Sequence, residues 1–481
     1  MQNHLSRFLL AVTVVGAVLT SSVATAQFDL AVERKLLTEL LEEGKYKQAV
    51  AEAKRVEAAI KPKRKNVWLG PLTPVYAELL IYRGSIERRM GNLDAAEKTL
   101  TEAYKMVSDP GFQQLVAVAA PRDDAEEQGR YWLPLELTYL RLLDNSTELL
   151  LQRVRAANDA RQVGRETASR DQIDGWFKQI DTLIRMSIMT RGSLRGRVSD
   201  EEKDPMARSA NARMMITQAR PRRYAGMRYV EASKLPWTVP SDTSADEGST
   251  TDSAADAPEE GGSIEQNLEA DGQRRRGISY LVEATALGAA AAGAALASFK
   301  DGEKEETRST LEFIAASQEA ALVRAESLVS LAEAEMLFGR LKAAREHLDA
   351  GLADMRSAGH DDHPDIALPL MLSAELGLRE SNAAFVAKDS LVAKQSAKLA
   401  VDSLQDAKRL LESEDSQYDP ASPLHALLAD LMTGSRTQER KSTQVLAATD
   451  AADAAARKAL SALSKGDAKK PKPPPAATPA P

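Results

Sequence analysis

The chain has no cysteine among its 481 residues. That excludes disulfides, thiolate-ligated zinc, iron–sulfur clusters and cysteine nucleophiles, and with them a lipidated cysteine behind an export signal. It does not fix the compartment, because an exported protein need not use disulfides. Histidine is scarce, with five residues of which His4 lies in the amino-terminal leader. Aromatic residues make up only 5%, too few for a β-sandwich core, so the 43% hydrophobic content points to helices packed through Ala and Leu. The phosphate-loop pattern G-x-x-x-x-G-K-[ST] is missing, as are G-x-G-x-x-G, G-x-S-x-G and H-E-x-x-H. The formal charge of −7 discourages a general nucleic-acid role.

What is present begins with an address. Arg7 precedes an apolar run from Phe8 to Leu19, and small residues Ala24 and Ala26 follow. This is the layout of a cleaved secretory signal over residues 1–26, with Gln27 as the new amino terminus. Twelve apolar residues are too few to span a bilayer, which needs about 20. The expectation is an exported protein, periplasmic or extracellular.

Helical periodicity then dominates. Leu36, Leu37, Leu40 and Leu41 recur at spacings of three and four, as do Tyr46, Ala49, Val50 and Ala53. Gly44 separates the two runs, and glycine can end a helix with a positive φ. The hexamer GKYKQA at 44–49 is echoed by GNLDAA at 91–96 and GRLKAA at 339–344. Each reads Gly, any residue, Tyr or Leu, any two residues, Ala, and each sits between two helical patterns. The first two turns are 47 residues apart, the interval holding a basic, Pro-containing connector at 61–74.

These units resemble the tetratricopeptide repeat, a 34-residue antiparallel helix pair. The resemblance covers about 30–63, 77–110 and 325–358, and the second copy matches best through Gly84, Gly91, Ala96 and Ala103. The first copy departs at Leu37, where a small residue is usual, and the third at Gly351, where Ala is usual. Residues 363–378 look like the start of a longer variant, similar to those of kinesin light chains, but their second helix, about 387–412, lacks the glycine turn. The resemblance implies an all-α helical-hairpin solenoid that binds a protein or peptide on the concave surface lined by the first helix of each pair. In its frame the groove-facing positions are Arg34, Thr38, Ser85, Arg88, Arg89, Glu333 and Met336. The Lys and Asn clamp that some members use for peptide carboxylates is not reproduced.

Charge segregation suggests the larger organisation. Residues 205–234 carry Arg208, Arg213, Arg220, Arg222, Arg223, Arg228 and Lys234 against Glu231 alone. Residues 241–272 carry ten acidic residues and no Lys or Arg, with almost nothing to bury. Such a composition predicts a disordered linker over 237–276, between an N-terminal helical module at 28–236 and a C-terminal one at 277–435. An Ala-rich weak helix at 436–464 and a Lys/Pro-rich disordered tail at 465–481 complete the chain.

Three stretches invite other chemistry. His360, Asp361, Asp362 and His363 are competent metal ligands, but consecutive loop residues do not all converge. They read as a polar turn before Pro364, a good first helical residue. The basic stretch with Tyr224, Tyr229 and Trp237 suits single-stranded nucleic acid, yet export and the adjacent acidic linker favour a solvated or internally neutralised face. Residues 278–299 are long and apolar enough for a membrane span, but they contain Glu283 and are rich in Ala, a poor driver of insertion, so a tightly packed solenoid helix is expected. No cofactor, metal or catalytic residue is assigned. The reading is an exported interaction scaffold. A self-assembling structural protein, or an enzyme using an unrecognised helical site within 111–236, are its alternatives.

Overall fold

The computed structural model describes residues 30–60, 73–109, 125–162, 165, 167–195, 205–234, 264–302, 308–358, 362–416, 418–420 and 422–466. The described residues are all-α, with one short 3-10 turn at Pro364–Ile366 and no strand. The helices are α1 Leu30–Glu42, α2 Tyr46–Ile60, α3 Thr73–Arg89, α4 Leu93–Val107, α5 Ala125–Gln162, α6 Arg170–Arg195 and α7 Pro205–Ser233. They continue as α8 Ile264–Gly302, α9 Arg308–Leu337, α10 Leu341–Ser357, α11 Ala367–Val386, α12 Ser390–Leu411 and α13 Pro423–Gly466. The leader and residues 467–481 of the tail lie outside the described residues.

Four of the helix pairs are built on one turn. Gly44, Gly91 and Gly339 have φ of 70°, 78° and 70°. In each, the glycine N–H donates to the carbonyl three residues back, and the next N–H donates to the carbonyl five residues back. The Ala five residues on, at 49, 96 and 344, donates to the residue after the glycine. The fourth turn has the same bonds. Lys388 donates to Phe385, Asp389 to Ala384, and Ala393 to Asp389, with Lys388 at φ 62°. The α11/α12 pair therefore has the full turn without its glycine. Asn92 and Asp389 cap the helices that follow, their side chains accepting from Ala95 at 3.3 Å and Val392 at 3.1 Å.

The positions flanking each turn are matched in size. Seven residues before it stand Leu37, Gly84, Ala332 and Ser381, and nine residues after it stand Ala53, Leu100, Leu348 and Ala397. All eight are buried. A Cβ on Gly84 would lie 2.7 Å from Leu100, so glycine leaves the room that Leu100 fills in this hairpin. Leu37 stands opposite the small Ala53, which explains the first copy's departure from the repeat pattern. Gly351 also has a steric reason, because a Cβ there would lie 3.0 Å from the Ala325 carbonyl oxygen.

The chain divides into two compact units, neither of which follows the expected module boundary. The first comprises residues 1–153, 182–197 and 412–419. Its core joins Leu37, Val56, Leu80, Leu100 and Val107 of the first two hairpins to Leu142 and Leu149 of α5. The second comprises 154–181, 198–411 and 420–481. In it α7 and α8 pack closely at Gly226 and Gly277, where added Cβ atoms would lie 2.6 Å from Leu281 and 2.9 Å from Val230. The basic helix before the acidic stretch and the apolar helix after it thus share one core, and residues 264–276, expected in the linker, are the first turns of α8. Residues 235–263 lie outside the described residues. The expected Ala-rich helix is the continuation of α13.

Replacing Lys388 by Gly should raise stability by about 0.5–1 kcal/mol, because glycine adopts positive φ without the Cβ clash. Gly91→Ala should lower it by about 1–2 kcal/mol. Urea denaturation of both variants beside the parent checks the pair.

Candidate functional site

The sequence-predicted groove positions do not form a free surface. Ser85 and Arg88 are buried, and Arg88 pairs with Glu148 at 2.6 Å and reaches Asn145 at 3.5 Å. Met336 is buried and its carbonyl accepts from Arg379 at 2.9 Å. Thr38 and Arg89 are partly buried, and the Arg34 side chain lies outside what is described. Ser85, Arg88 and Met336 thus stand on inward-turned helix faces. In the first unit α5 packs on the second hairpin, so that face is already covered.

Glu333 belongs to a buried charge cluster in the second unit. Arg155 and Asp159 stand on the last turns of α5, Glu231 and Lys234 at the end of α7, and Glu333 on α9. Lys234 bridges Glu231 at 2.9 Å and Glu333 at 2.7 Å. Arg155 pairs with Glu333 and lies 3.5 Å from Glu231. Asn158 adds a 2.8 Å bond to Glu231. Two cations and two anions are thus mutually satisfied, and Asp159 is a third carboxylate beside them.

The electrostatics follow from that count. Burial works against the Glu333 carboxylate, but Arg155 and Lys234 outweigh it and hold the group down at about 2. Burial also works against the charge on Lys234, and the two glutamates outweigh it and raise its pKa. Asp159 finds no surplus cation. Burial pushes it up to about 6, Glu231 and Glu333 add to the rise, and Lys234 and Arg155 offset only part of it.

The same pairing accounts for the basic stretch. Arg220 meets Glu319 at 2.9 Å, Arg222 meets Glu283 at 3.0 Å, Arg223 meets Glu326 at 2.9 Å and Arg228 meets Asp181 at 3.0 Å. These four arginines are thus paired with carboxylates of neighbouring helices. Tyr224 is buried, and Tyr229 stacks on Tyr280 with ring centroids 5.7 Å apart. Arg208 and Arg213 have undescribed side chains, and Trp237 lies outside the described residues.

Glu283, the charge inside the apolar 278–299 stretch, is the partner of Arg222. Leu268–Ala295 is the one described segment long and apolar enough to cross a membrane by length and composition. Its buried face packs in the second unit through Leu281, Ala284 and Ala291, and through Gly288, where a Cβ would lie 2.9 Å from Arg324. Of the His-Asp cluster, His363 is buried and its Nδ1 accepts from the Asp365 N–H at 3.2 Å, capping the 3-10 turn. Asp362 pairs with Arg409 at 3.0 Å. His360 and Asp361 lie outside the described residues, and among the described residues no group of three His, Asp or Glu side chains is placed to hold a metal.

One surface was not legible in the sequence. In the first unit, residues 412–419 (Glu-Ser-Glu-Asp-Ser-Gln-Tyr-Asp) lie against the tips of the first two hairpins. The Asp419 N–H donates to the Met90 carbonyl at 2.8 Å, and the Lys47 N–H donates to the Asp415 carbonyl at 3.2 Å. Gln48 donates to the Asp415 carboxylate at 3.3 Å. Met90 immediately precedes a turn glycine, and Lys47 lies in the first turn of a helix, where N–H groups have no intrahelical acceptor.

No protein-family model matches the chain, and no curated protein matches it. Among solved structures it is similar to one described as a circular tandem repeat protein with novel repeat topology and enhanced subunit contact surfaces. That match has 12% identity over 88% of this chain and 100% of that chain, with a TM-score of 0.21. The helical-repeat assignment rests on the four equivalent turns rather than on this likeness.

Two outcomes test the cluster. Glu333→Leu strands Arg155 and Lys234 beside one glutamate and should cost about 3 kcal/mol or more, much of it regained in Arg155→Met with Glu333→Leu. Denaturant midpoints of the single and double variants decide this. Asp159 has a raised folded pKa, so the folded state holds its proton more tightly than the unfolded chain, and stability falls as pH rises from about 4 to about 6. Asp159→Asn should be about 1–2 kcal/mol more stable than the parent at pH 7.5 and show no such advantage at pH 4. Unfolding curves at the two pH values read the difference.

Proposed function

We propose that the chain is an exported protein-interaction scaffold of the cell envelope, built on tetratricopeptide-like hairpins. The observation that carries this reading is the turn repeated four times with one hydrogen-bond pattern. Hairpins of this kind cannot bury their apolar faces alone and so stack with neighbours, leaving long side surfaces available to partners. Arg155, Lys234, Glu231 and Glu333 are absorbed in structural pairing, which gives a scaffold role more support than chemistry at those residues. The export component rests on the leader with Ala24 and Ala26, and the tetratricopeptide component on the Gly-to-Ala spacing.

Amino-terminal sequencing of the protein recovered from an envelope fraction should read from Gln27. Affinity capture with the mature chain from envelope extract should return one defined, stoichiometric partner. Recovery of nothing above background would sink the scaffold reading. Particles whose size grows with concentration in light scattering, without a captured partner, would favour self-assembly.

A further inference from the structure

The hairpin tips of the second unit repeat the geometry that holds residues 412–419 in the first. By position in the turn, Lys47 corresponds to Lys342, and Met90 corresponds to Ala387. The Gly339 and Lys388 turns make the same backbone bonds as the Gly44 and Gly91 turns. Among the described residues no segment bonds to the Lys342 and Ala387 positions in the way residues 412–419 bond to Lys47 and Met90.

Chemistry at this edge favours an occupant like 412–419. That segment carries Glu412, Glu414, Asp415 and Asp419, no cation, and one aromatic side chain, Tyr418. The edge of the second unit presents Lys342, whose side chain is 92% exposed, and Lys388, which is also exposed. Arg340 stands beside them, paired with Glu335 at 3.2 Å. The acidic groups at the edge are Glu346, 4.0 Å from Lys342, and Asp389, whose carboxylate caps α12. A depression of about 660 Å³ lies along Gly339–Ala343 and Glu346. Beside the Lys388 turn, Phe385, Val386, Leu391 and Val392 are exposed, four large apolar side chains within eight residues. An exposed apolar cluster rimmed by cations suits a ligand with both carboxylates and an aromatic or large aliphatic group.

Lys388 itself is a further sign. The other three turns use glycine, which adopts φ near +70° freely, whereas a lysine there is strained. The strain places a cation at the tip, next to the apolar cluster.

We propose that the edge formed by the Gly339 and Lys388 turns is a docking surface for an acidic segment of a partner protein carrying a large apolar side chain, of the same chemistry as residues 412–419. This rests on the scaffold reading and moves recognition from the inner helix faces to the hairpin tips. The partner segment accepts from the first-turn amides of α10 and donates to the carbonyl before Lys388. Its carboxylates face Lys342 and Lys388, and its apolar group covers Leu391 and Val392.

The probe is a fluorescein-labelled peptide of residues 412–420, titrated with the full-length protein and followed by anisotropy. Saturable binding that weakens with salt is expected. Lys342→Glu with Lys388→Glu should weaken it at least tenfold, and Leu391→Asp should do the same. Lys45→Glu with Lys47→Glu, at the edge already covered, should leave it within twofold. The substituted side chains at 342, 388 and 391 are exposed, and thermal melts confirm folding.

Absence of binding to the parent protein, or binding unchanged in the Lys342/Lys388 variant, overturns the proposal. Binding that emerges only when residues 241–263 are deleted also overturns it, since the chain's own acidic stretch would then be the occupant. Dimers in light scattering that vanish in the Lys342/Lys388 variant overturn it in favour of a second copy. A captured envelope partner that the variant retains leaves the scaffold reading standing while this surface fails.

Discussion

One residue with left-handed backbone geometry reverses the chain in each of four helical hairpins, and the packing described here depends on that reversal. The turn satisfies two carbonyls at the end of the first helix and brings the second helix close enough that side chains must be matched in size. Gly84 faces Leu100 because a Cβ would collide with it, and Leu37 is tolerated because Ala53 stands opposite. A spelling that tolerates exchange across the interface is a constraint on summed volume rather than on either residue. Lys388 shows the same principle for the backbone: the turn's hydrogen bonds form with lysine in the glycine's place, at the cost of local strain.

The second unit depends further on ionic pairing. Its central helix, α7, is rich in arginine, and α8 and α9, together with residues 154–181, supply the acids that neutralise it. Arg220, Arg222, Arg223 and Arg228 each meet a carboxylate from another element. The cluster around Glu333 closes this arrangement where α5, α7 and α9 meet. Buried charges are costly unless paired, so losing one member of this set leaves its partner uncompensated. It leaves Asp159 as the surplus carboxylate and gives the unit a preference for mildly acidic conditions.

Much of the local structure was legible from residue spacing. The Gly-x-Tyr/Leu-x-x-Ala hexamers mark three turns correctly, and the 3.6-residue periodicity locates α1 to α4 and α9 to α10. The α11/α12 turn carries no glycine to mark it, since the turn requires only the positive φ, which Lys388 adopts. Four of the candidate groove positions are buried for a related reason. A repeat frame assigns each position to a helix face, but it does not tell whether another helix covers that face, and Ser85, Arg88, Glu333 and Met336 are buried. The edge bearing residues 412–419 had no local signal, since its bonds join main-chain groups more than 300 residues apart.

The sequence by itself determined the helical class, the hairpin turns and the lack of cysteine chemistry, because these follow from near-neighbour spacing, backbone stereochemistry and composition. Only the tertiary structure decided which charges are neutralised, which faces remain exposed and where the units divide. Those outcomes depend on pairings between residues far apart in the chain. Arg222 with Glu283 and Lys234 with Glu333 are such pairs. In sequence they look like a basic patch, a flaw in an apolar helix and a groove residue. In the fold they become ion pairs, at the surface for Arg222 and Glu283 and buried for Lys234 and Glu333, whose removal from water is favourable only beside a partner.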